Sequence, residues 1–268
     1  MDVKKVLFIN QEITPYLPET LMGKVGRDLS QGFQEQGCEV RTFMPKYGGI
    51  NERRNQLHEV IRLSGINLII DDTDHPLIIK VATLLPSRIQ VYFIYNDDYF
   101  QRNLVKELET VTSTADNDER SIFFVRGVLE TVKKLRWTPD IVQCNGWLTA
   151  LTPLYIKHKY SDDPSFAKTK VVYALFANQP ATPFDIRFAE KLKFDGIPDE
   201  DFAGINGKEA TALDLAKFAI DNCDGVIQYD PDVDPQILDL VKNSSVPFLP
   251  FQADCDFVKA TADFYNNL

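Results

Sequence analysis

No stretch limits the possible folds more than Arg120 to Tyr160, RSIFFVRGVLETVKKLRWTPDIVQCNGWLTALTPLYIKHKY. Ile122, Phe123, Val125, Val128, Leu129, Val132 and Leu135 recur at helical spacing, and Trp137-Thr138-Pro139 breaks that rhythm. Asp140-Ile141-Val142 then reads as a short apolar strand. Leu148 to Lys159 returns to helical spacing, with Lys157, His158 and Lys159 near its carboxyl end, where positive charge suits the helix dipole. Helix, buried strand and helix in succession make a crossover unit of a parallel α/β sheet. The turn after the strand is Gln143-Cys144-Asn145-Gly146-Trp147, and in open parallel sheets ligands lie beyond the carboxyl ends of strands. Chemistry is expected at this turn.

The rest of the chain extends the same pattern. Val6 to Ile9 is a continuous apolar run that predicts a first strand, followed by a polar loop from Asn10 to Glu19 and a helix from Leu21 to Gln36 closed by Gly37. Glu39 to Met44 predicts a second strand at a distance that fits a right-handed βαβ crossover. Leu57 to Leu63, Ile66 to Ile70, Leu77 to Leu84 and Ile89 to Tyr95 then read as four strands without an intervening helix, so part of this region is expected to be an antiparallel insertion. A helix is expected from Tyr99 to Leu108 and a polar loop from Thr110 to Asp118. Lys170 to Phe176 and Gly225 to Gln228 predict further strands. Phe188 to Ile205 reads as irregular with one helical turn, Lys208 to Asn222 and Asp234 to Lys242 as helices, and Val246 to Leu249 and Cys255 to Tyr265 as a last strand and helix. With no internal repeat and no change of composition, the expectation is one Rossmann-like α/β domain over residues 1–268: a mainly parallel sheet flanked by helices, with an antiparallel β insertion.

Composition excludes several classes of partner. A formal charge of −10, with no basic run longer than a pair, makes nucleic acid and anionic membranes poor partners. The one apolar run near the start is too short for a signal sequence or a membrane span, and a cytoplasmic location is expected. Cys38, Cys144, Cys223 and Cys255 are far apart and lack the paired spacing of a zinc or redox motif, so reduced thiols are expected. No cofactor pattern is found. Gly23 and Gly26 give only a GxxG, with neither the dinucleotide fingerprint nor a Walker lysine, and read as small residues that let a helix approach a strand. Asp72-Thr73-Asp74 and Asp232-Val233-Asp234 match the DxD pattern of metal-dependent sugar transferases, but Asp near Pro is ordinary turn chemistry and no metal is expected. Nothing around His58, His75 or His158 marks a hydrolytic triad.

Four separated segments resemble one family. Lys5-Val6-Leu7-Phe8 with Glu12-Ile13-Thr14-Pro15-Tyr16, followed by Met44-Pro45-Lys46-Tyr47-Gly48, is similar to the opening of bacterial glycogen and plant starch synthases. Val91-Tyr92-Phe93-Ile94 with Asn96, Tyr99, Phe100 and Arg102 resembles that family's strand and tyrosine-rich loop. Arg120, Phe123, Phe124 and Arg126, then Trp137 to Val142, Trp147, Thr149, Ala150, Leu151 and Pro153, resemble its central helix and strand.

The resemblance implies a glucosyltransferase that moves glucose from ADP-glucose to an α-1,4-glucan, in a cleft between two Rossmann-like domains of which this chain resembles the first. It also implies a protein partner that supplies the second domain, and substrate-binding roles for Tyr16, Asn145, Trp147, Thr149 and Asn178. The departures from the family lie where chemistry is expected. A Lys-Thr-Gly-Gly-Leu loop near the donor phosphates becomes Pro18-Glu19-Thr20-Leu21-Met22, which weakens a phosphate grip. His-Asp-Trp-His-Thr becomes Asn145-Gly146-Trp147-Leu148-Thr149, and His-Asn-Leu after the next strand appears as Phe176-Ala177-Asn178. An asparagine can hydrogen-bond a sugar hydroxyl but does not titrate near neutral pH. Three expectations compete: an inactive or partner-dependent synthase-like chain, a non-catalytic glucan-binding or regulatory module in which Trp147, Tyr95 and Tyr99 stack on sugar rings, and the same fold reused for an unrelated small ligand. No catalytic residue is assigned.

Overall fold

The structure is a computed structural model that describes residues 3–101 and 114–268. The described strands are β1 (Lys5–Asn10), β2 (Glu39–Pro45), β3 (His58–Glu59), β4 (Ile66–Ile70), β5 (Thr73–Leu84), β6 (Ile89–Tyr95), β7 (Ile141–Asn145), β8 (Lys170–Leu175), β9 (Gly225–Gln228) and β10 (Phe248–Leu249). They form one sheet in the order β10-β9-β8-β7-β1-β2-β6-β5-β3, with β4 paired to β5. From β10 to β6 every pairing is parallel, and β3, β4 and β6 each run antiparallel to β5. The fold is thus α/β, with the antiparallel insertion that four strands in a row required.

The described helices are α1 (Leu21–Glu35), α2 (Asp97–Phe100), α3 (Asn117–Lys134), α4 (Thr152–Lys157), α5 (Phe188–Phe194), α6 (Ala212–Asn222), α7 (Pro235–Asn243) and α8 (Phe257–Tyr265). Strand alternation divides the core. Val6 and Phe8 pack on the face of α1 and α8 with Val25, Leu29, Phe33 and Tyr265, while Leu7 and Ile9 join the larger core that includes Phe123, Leu129, Leu154 and Leu215. Apolar side chains on both faces explain why β1 reads as a continuous apolar run.

Local chemistry explains where several elements differ from the sequence reading. Leu57 to Leu63 contributes only β3, because Val60, Leu63 and Ser64 enter turns closed by Leu63 N to Val60 O and Ser64 N to Val60 O. The helix expected from Lys208 begins at Ala212, where Thr211 and Asp214 form a reciprocal capping box. Leu148 to Lys159 divides into a tight 3-10 turn at Trp147–Thr149 and the short α4 with Pro153 in its first turn. The irregular stretch after Phe188 contains the seven-residue α5. The helix expected from Tyr99 to Leu108 is described only through Phe100, and the remainder lies outside the described residues.

The insertion is clamped to the body by charge. At the β4–β5 turn, where Asp71 and Asp72 have positive φ, Asp71 receives both guanidinium Nη groups of Arg187 at 2.8 and 2.6 Å. Asp74 lies in β5 and Asp234 caps α7 by accepting from Gln236 N at 2.8 Å, so both DxD patterns are used in turns, strand and cap. Among the described residues no group of three His, Cys, Asp or Glu is placed to hold a metal ion, and no helix is long and apolar enough to cross a membrane.

Candidate functional site

β1 and β7 are parallel neighbours from which the chain departs in opposite directions across the sheet, so the crevice beyond their carboxyl ends is the topological switch point. Register sets Asn10 opposite Asn145. Their side chains are linked, Asn145 Nδ2 donating to Asn10 Oδ1 at 2.6 Å, and Asn10 Nδ2 donating to Thr42 Oγ1 at 2.8 Å. On the other side, Gln143 Nε2 donates to Asn145 Oδ1 at 2.8 Å, and Tyr265 of α8 donates its hydroxyl proton to Gln143 Oε1. A directed chain of hydrogen bonds therefore runs from α8 through β7 and β1 to β2. Every side chain in it is buried, and Asn145 is 0% exposed. Asn10, Gln143 and Asn145 do not titrate, and burial pushes Tyr265 well above the ordinary phenol range.

A second set of bonds fixes the turn above. Gln11 Nε2 and Trp147 Nε1 both donate to Asn178 Oδ1 at 3.1 Å, and Gln11 Oε1 accepts from Leu148 N at 3.2 Å. Thr149 Oγ1 donates to Gly146 O at 2.7 Å. The Trp147 ring is 1% exposed and meets Phe184 edge to face. Gly146 has φ +92, and a Cβ there would stand 2.8 Å from both Gln11 Oε1 and Met22 Sδ. Protein atoms fill the space that a side chain would need, and the backbone excludes one independently.

The β1–α1 loop completes the crevice. Thr20 caps α1, its hydroxyl oxygen accepting from Gly23 N at 2.9 Å while its proton goes to Glu12 Oε2 at 2.6 Å. Burial raises the pKa of Glu12, partly offset by the hydrogen bonds from Thr20 and Gln11. An internal carboxyl group therefore sits beside the amino end of α1, where an anion would otherwise be stabilised by the helix dipole. Gly26 permits the close approach of α1, since a Cβ would meet Asn10 Oδ1 at 2.8 Å.

The sequence pattern described as "Starch synthase catalytic domain" matches residues 5–242. The chain belongs to that family. It is 34% identical over 223 residues to a glycogen synthase of Chlorobium luteolum, covering 82% of this chain and 44% of that protein. A glycogen synthase of Chlorobium chlorochromatii is 36% identical over 203 residues, with 75% and 41% covered. The chain thus spans less than half the length of these relatives. The catalytic domain of starch synthase IV from Arabidopsis thaliana, bound to ADP and acarbose, superposes with a TM-score of 0.74 at 18% identity, covering 93% of this chain and 51% of that one. This last likeness speaks for the fold.

Of the five residues picked from sequence, Trp147 and Asn178 are bonded to each other and Asn178 to the Gln11 side chain, Asn145 meets that set only through its carbonyl, which accepts from Gln11 N at 3.0 Å, and Thr149 lies on the same turn. Asn178 is half-buried at the rim. Tyr16 is 8% exposed and packs edge to face on Phe93, apart from that group, and burial raises its pKa to about 12. Tyr95 and Tyr99 are buried as well, and present no open stacking face. His58 is exposed in β3, His75 packs on Tyr99, and His158 pairs with Asp201 at 2.9 Å. Sequence reasoning missed Asn10, Gln11, Gln143, Met22 and Tyr265. The spacing of Gln143 and Asn145, two apart on a strand and hence on one face, was a readable sign. Tyr265 left none, because its approach depends on how α8 folds back.

Proposed function

We propose that this glycogen/starch-synthase-family domain does not by itself transfer glucose, and that the surface at its strand ends serves binding. The observation that carries the proposal is the closed amide chain through Asn10, Asn145 and Gln143. In it each side-chain amide is satisfied internally, no group titrates near neutral pH, and no space is left for a sugar ring. Glu12, bonded by the Thr20 cap at the amino end of α1, further opposes the diphosphate of ADP-glucose there. Asn145, Trp147 and Thr149 then act indirectly, holding Asn178 at the rim where a glucan hydroxyl or a donor ribose would meet it. Transfer would require a partner chain or further domain to supply the donor grip and a base. No disulfide joins Cys38, Cys144, Cys223 or Cys255 among the described residues, which suits a reducing, cytoplasmic setting.

The test is transfer of labelled glucose from ADP-glucose to a maltooligosaccharide by the purified chain. No incorporation above the protein-free blank is expected. Incorporation that disappears when Asn145 is replaced in a folded variant would overturn the reading. Calorimetry with the same maltooligosaccharide, comparing the native chain with Asn178→Ala, tests the binding role, and equal binding by both would remove Asn178 from it.

A further inference from the structure

Glycine follows asparagine twice in this chain, at Asn145-Gly146 and at Asn206-Gly207. The side-chain carbonyl of such an asparagine is open to attack by the next backbone nitrogen, because glycine carries no Cβ to shield it. The two pairs share their covalent chemistry, so a difference in reactivity between them comes from the fold.

Asn206 and Gly207 form the corners of a surface turn between Phe202 and α6. Asn206 has φ −59 and ψ 118, Gly207 has φ +70, and Lys208 N donates to Ile205 O at 2.9 Å, the pattern of a type II turn with glycine where positive φ is required. Residues 206–209 are exposed, and a Cβ on Gly207 would meet nothing within 4 Å. Among the described residues no hydrogen bond engages the Asn206 side chain or Gly207 N. Rotation about the Asn206 ψ bond brings Gly207 N to Asn206 Cγ and breaks the bond from Lys208 N. That bond lies at the surface, where local opening costs little.

Asn145-Gly146 is restrained on every side. Asn145 is 0% exposed, its Nδ2 donates to Asn10 Oδ1, its Oδ1 accepts from Gln143 Nε2, and its carbonyl accepts from Gln11 N at 3.0 Å. The same rotation there breaks bonds in the interior, where water does not replace them.

We propose that Asn206 is a site of solvent-driven modification, converted by water to aspartate and isoaspartate, and that the fold protects Asn145 from the same reaction. Solvent base takes the Gly207 amide proton, the nitrogen bonds Asn206 Cγ, and the Cγ–Nδ2 bond breaks as ammonia leaves, closing a succinimide ring. Water then opens either imide bond. Breaking the bond to Cγ leaves aspartate, and breaking the bond to the main-chain carbonyl leaves isoaspartate, with the chain running through the side chain. The net change is amide plus water to acid plus ammonia, with no oxidation, and it adds one negative charge to the turn.

The test is to hold the full chain in mildly alkaline buffer, native or unfolded in guanidinium chloride, then digest it in acid and follow the peptides by chromatography and mass spectrometry. In the native chain the peptide with Asn206 is expected to convert to two products of equal mass, isoaspartate the larger, and faster as hydroxide rises. The peptide with Asn145 is expected to convert more than about tenfold more slowly in the native chain and at a rate within about threefold of Asn206 in the denaturant. No conversion at Asn206 in the native chain while the unfolded chain reacts, or aspartate without isoaspartate, would overturn the proposal. Asn145 reacting as fast as Asn206 in the native chain, or staying unreactive when unfolded, would overturn the protective role of the fold.

Discussion

The amide chain at the ends of β1 and β7 and the ion cluster between α3 and α5 are both buried polar assemblies, but they are stabilised differently. In the ion cluster Lys191 Nζ contacts Asp118 Oδ2 at 2.6 Å and Glu119 Oε1 at 2.7 Å, and Glu119 also accepts from the Tyr99 hydroxyl at 2.9 Å. Burial lowers the pKa of Lys191, yet its bonds to two carboxylates outweigh that and raise it overall. Burial pushes the Asp118 carboxyl up, against the pull of Lys191. We take the cluster as ionised, because Nζ has two carboxylate partners at close range. The amide chain, by contrast, holds dipoles only. A buried charge must be paired or it costs several kcal/mol, whereas a chain of neutral amides needs only satisfied hydrogen bonds. The ion cluster joins α3 to α5, one turn along from Arg187, which clamps the insertion through Asp71. The amide chain at the ends of β1 and β7 carries no charge, and the carboxyl group beside it in the crevice is that of Glu12.

The difference predicts how each assembly breaks. Lys191→Met removes the ammonium from the buried Asp118 carboxylate and leaves the part-buried Glu119 with the Tyr99 hydroxyl, and is expected to cost about 3–5 kcal/mol in denaturant unfolding. A loss below about 1 kcal/mol would show that the cluster is not ionised. Gly146→Asp meets both positive φ and the Gln11 and Met22 side chains, and is expected to cost about 2–4 kcal/mol without restoring transfer. Asn145→His overfills the chain at about 1–3 kcal/mol and is likewise expected to gain no activity, because one imidazole does not supply a donor site. Trp147→Phe removes the indole donation to Asn178 and is expected to cost about 1 kcal/mol.

The smallest expected effect depends on pH. Because the pKa of Glu12 is raised in the folded chain, the unfolded chain ionises first as pH rises. The contribution of Glu12 is therefore fully present below the ordinary carboxyl range and is lost as pH rises through the raised value. Glu12→Gln keeps an acceptor for Thr20 and removes that loss. It is expected to be more stable than the native chain at neutral pH, with the difference closing in acid, and the opposite slope would show that Glu12 is stabilised as a carboxylate.

The scaffold was legible where periodicity and caps speak for themselves. The run at Val6 to Ile9 and the break at Trp137-Thr138-Pro139 are local facts that lead to the parallel sheet, whereas β7 runs on to Asn145 through residues that read as a turn. The substitutions at Asn145 and Gly146 were readable only because a family resemblance says what stands there otherwise. Their consequence was not readable, since whether Asn145 faces a ligand or a neighbour depends on Asn10 across the sheet and on Tyr265 at the far end of the chain. Trp147 has the same ambiguity: an aromatic in a strand-end turn stacks on sugars when open and fills a core when Phe184 covers it. Long-range packing decided both.

Hydrogen exchange of the side-chain amide protons of Asn10, Gln143 and Asn145, followed by NMR with and without ADP-glucose, tests the closed chain most directly. The closed chain predicts exchange far slower than for exposed asparagines such as Asn267 and no change on adding the nucleotide sugar. Fast exchange at Asn145, or its protection and shift only when ADP-glucose is present, would contradict it.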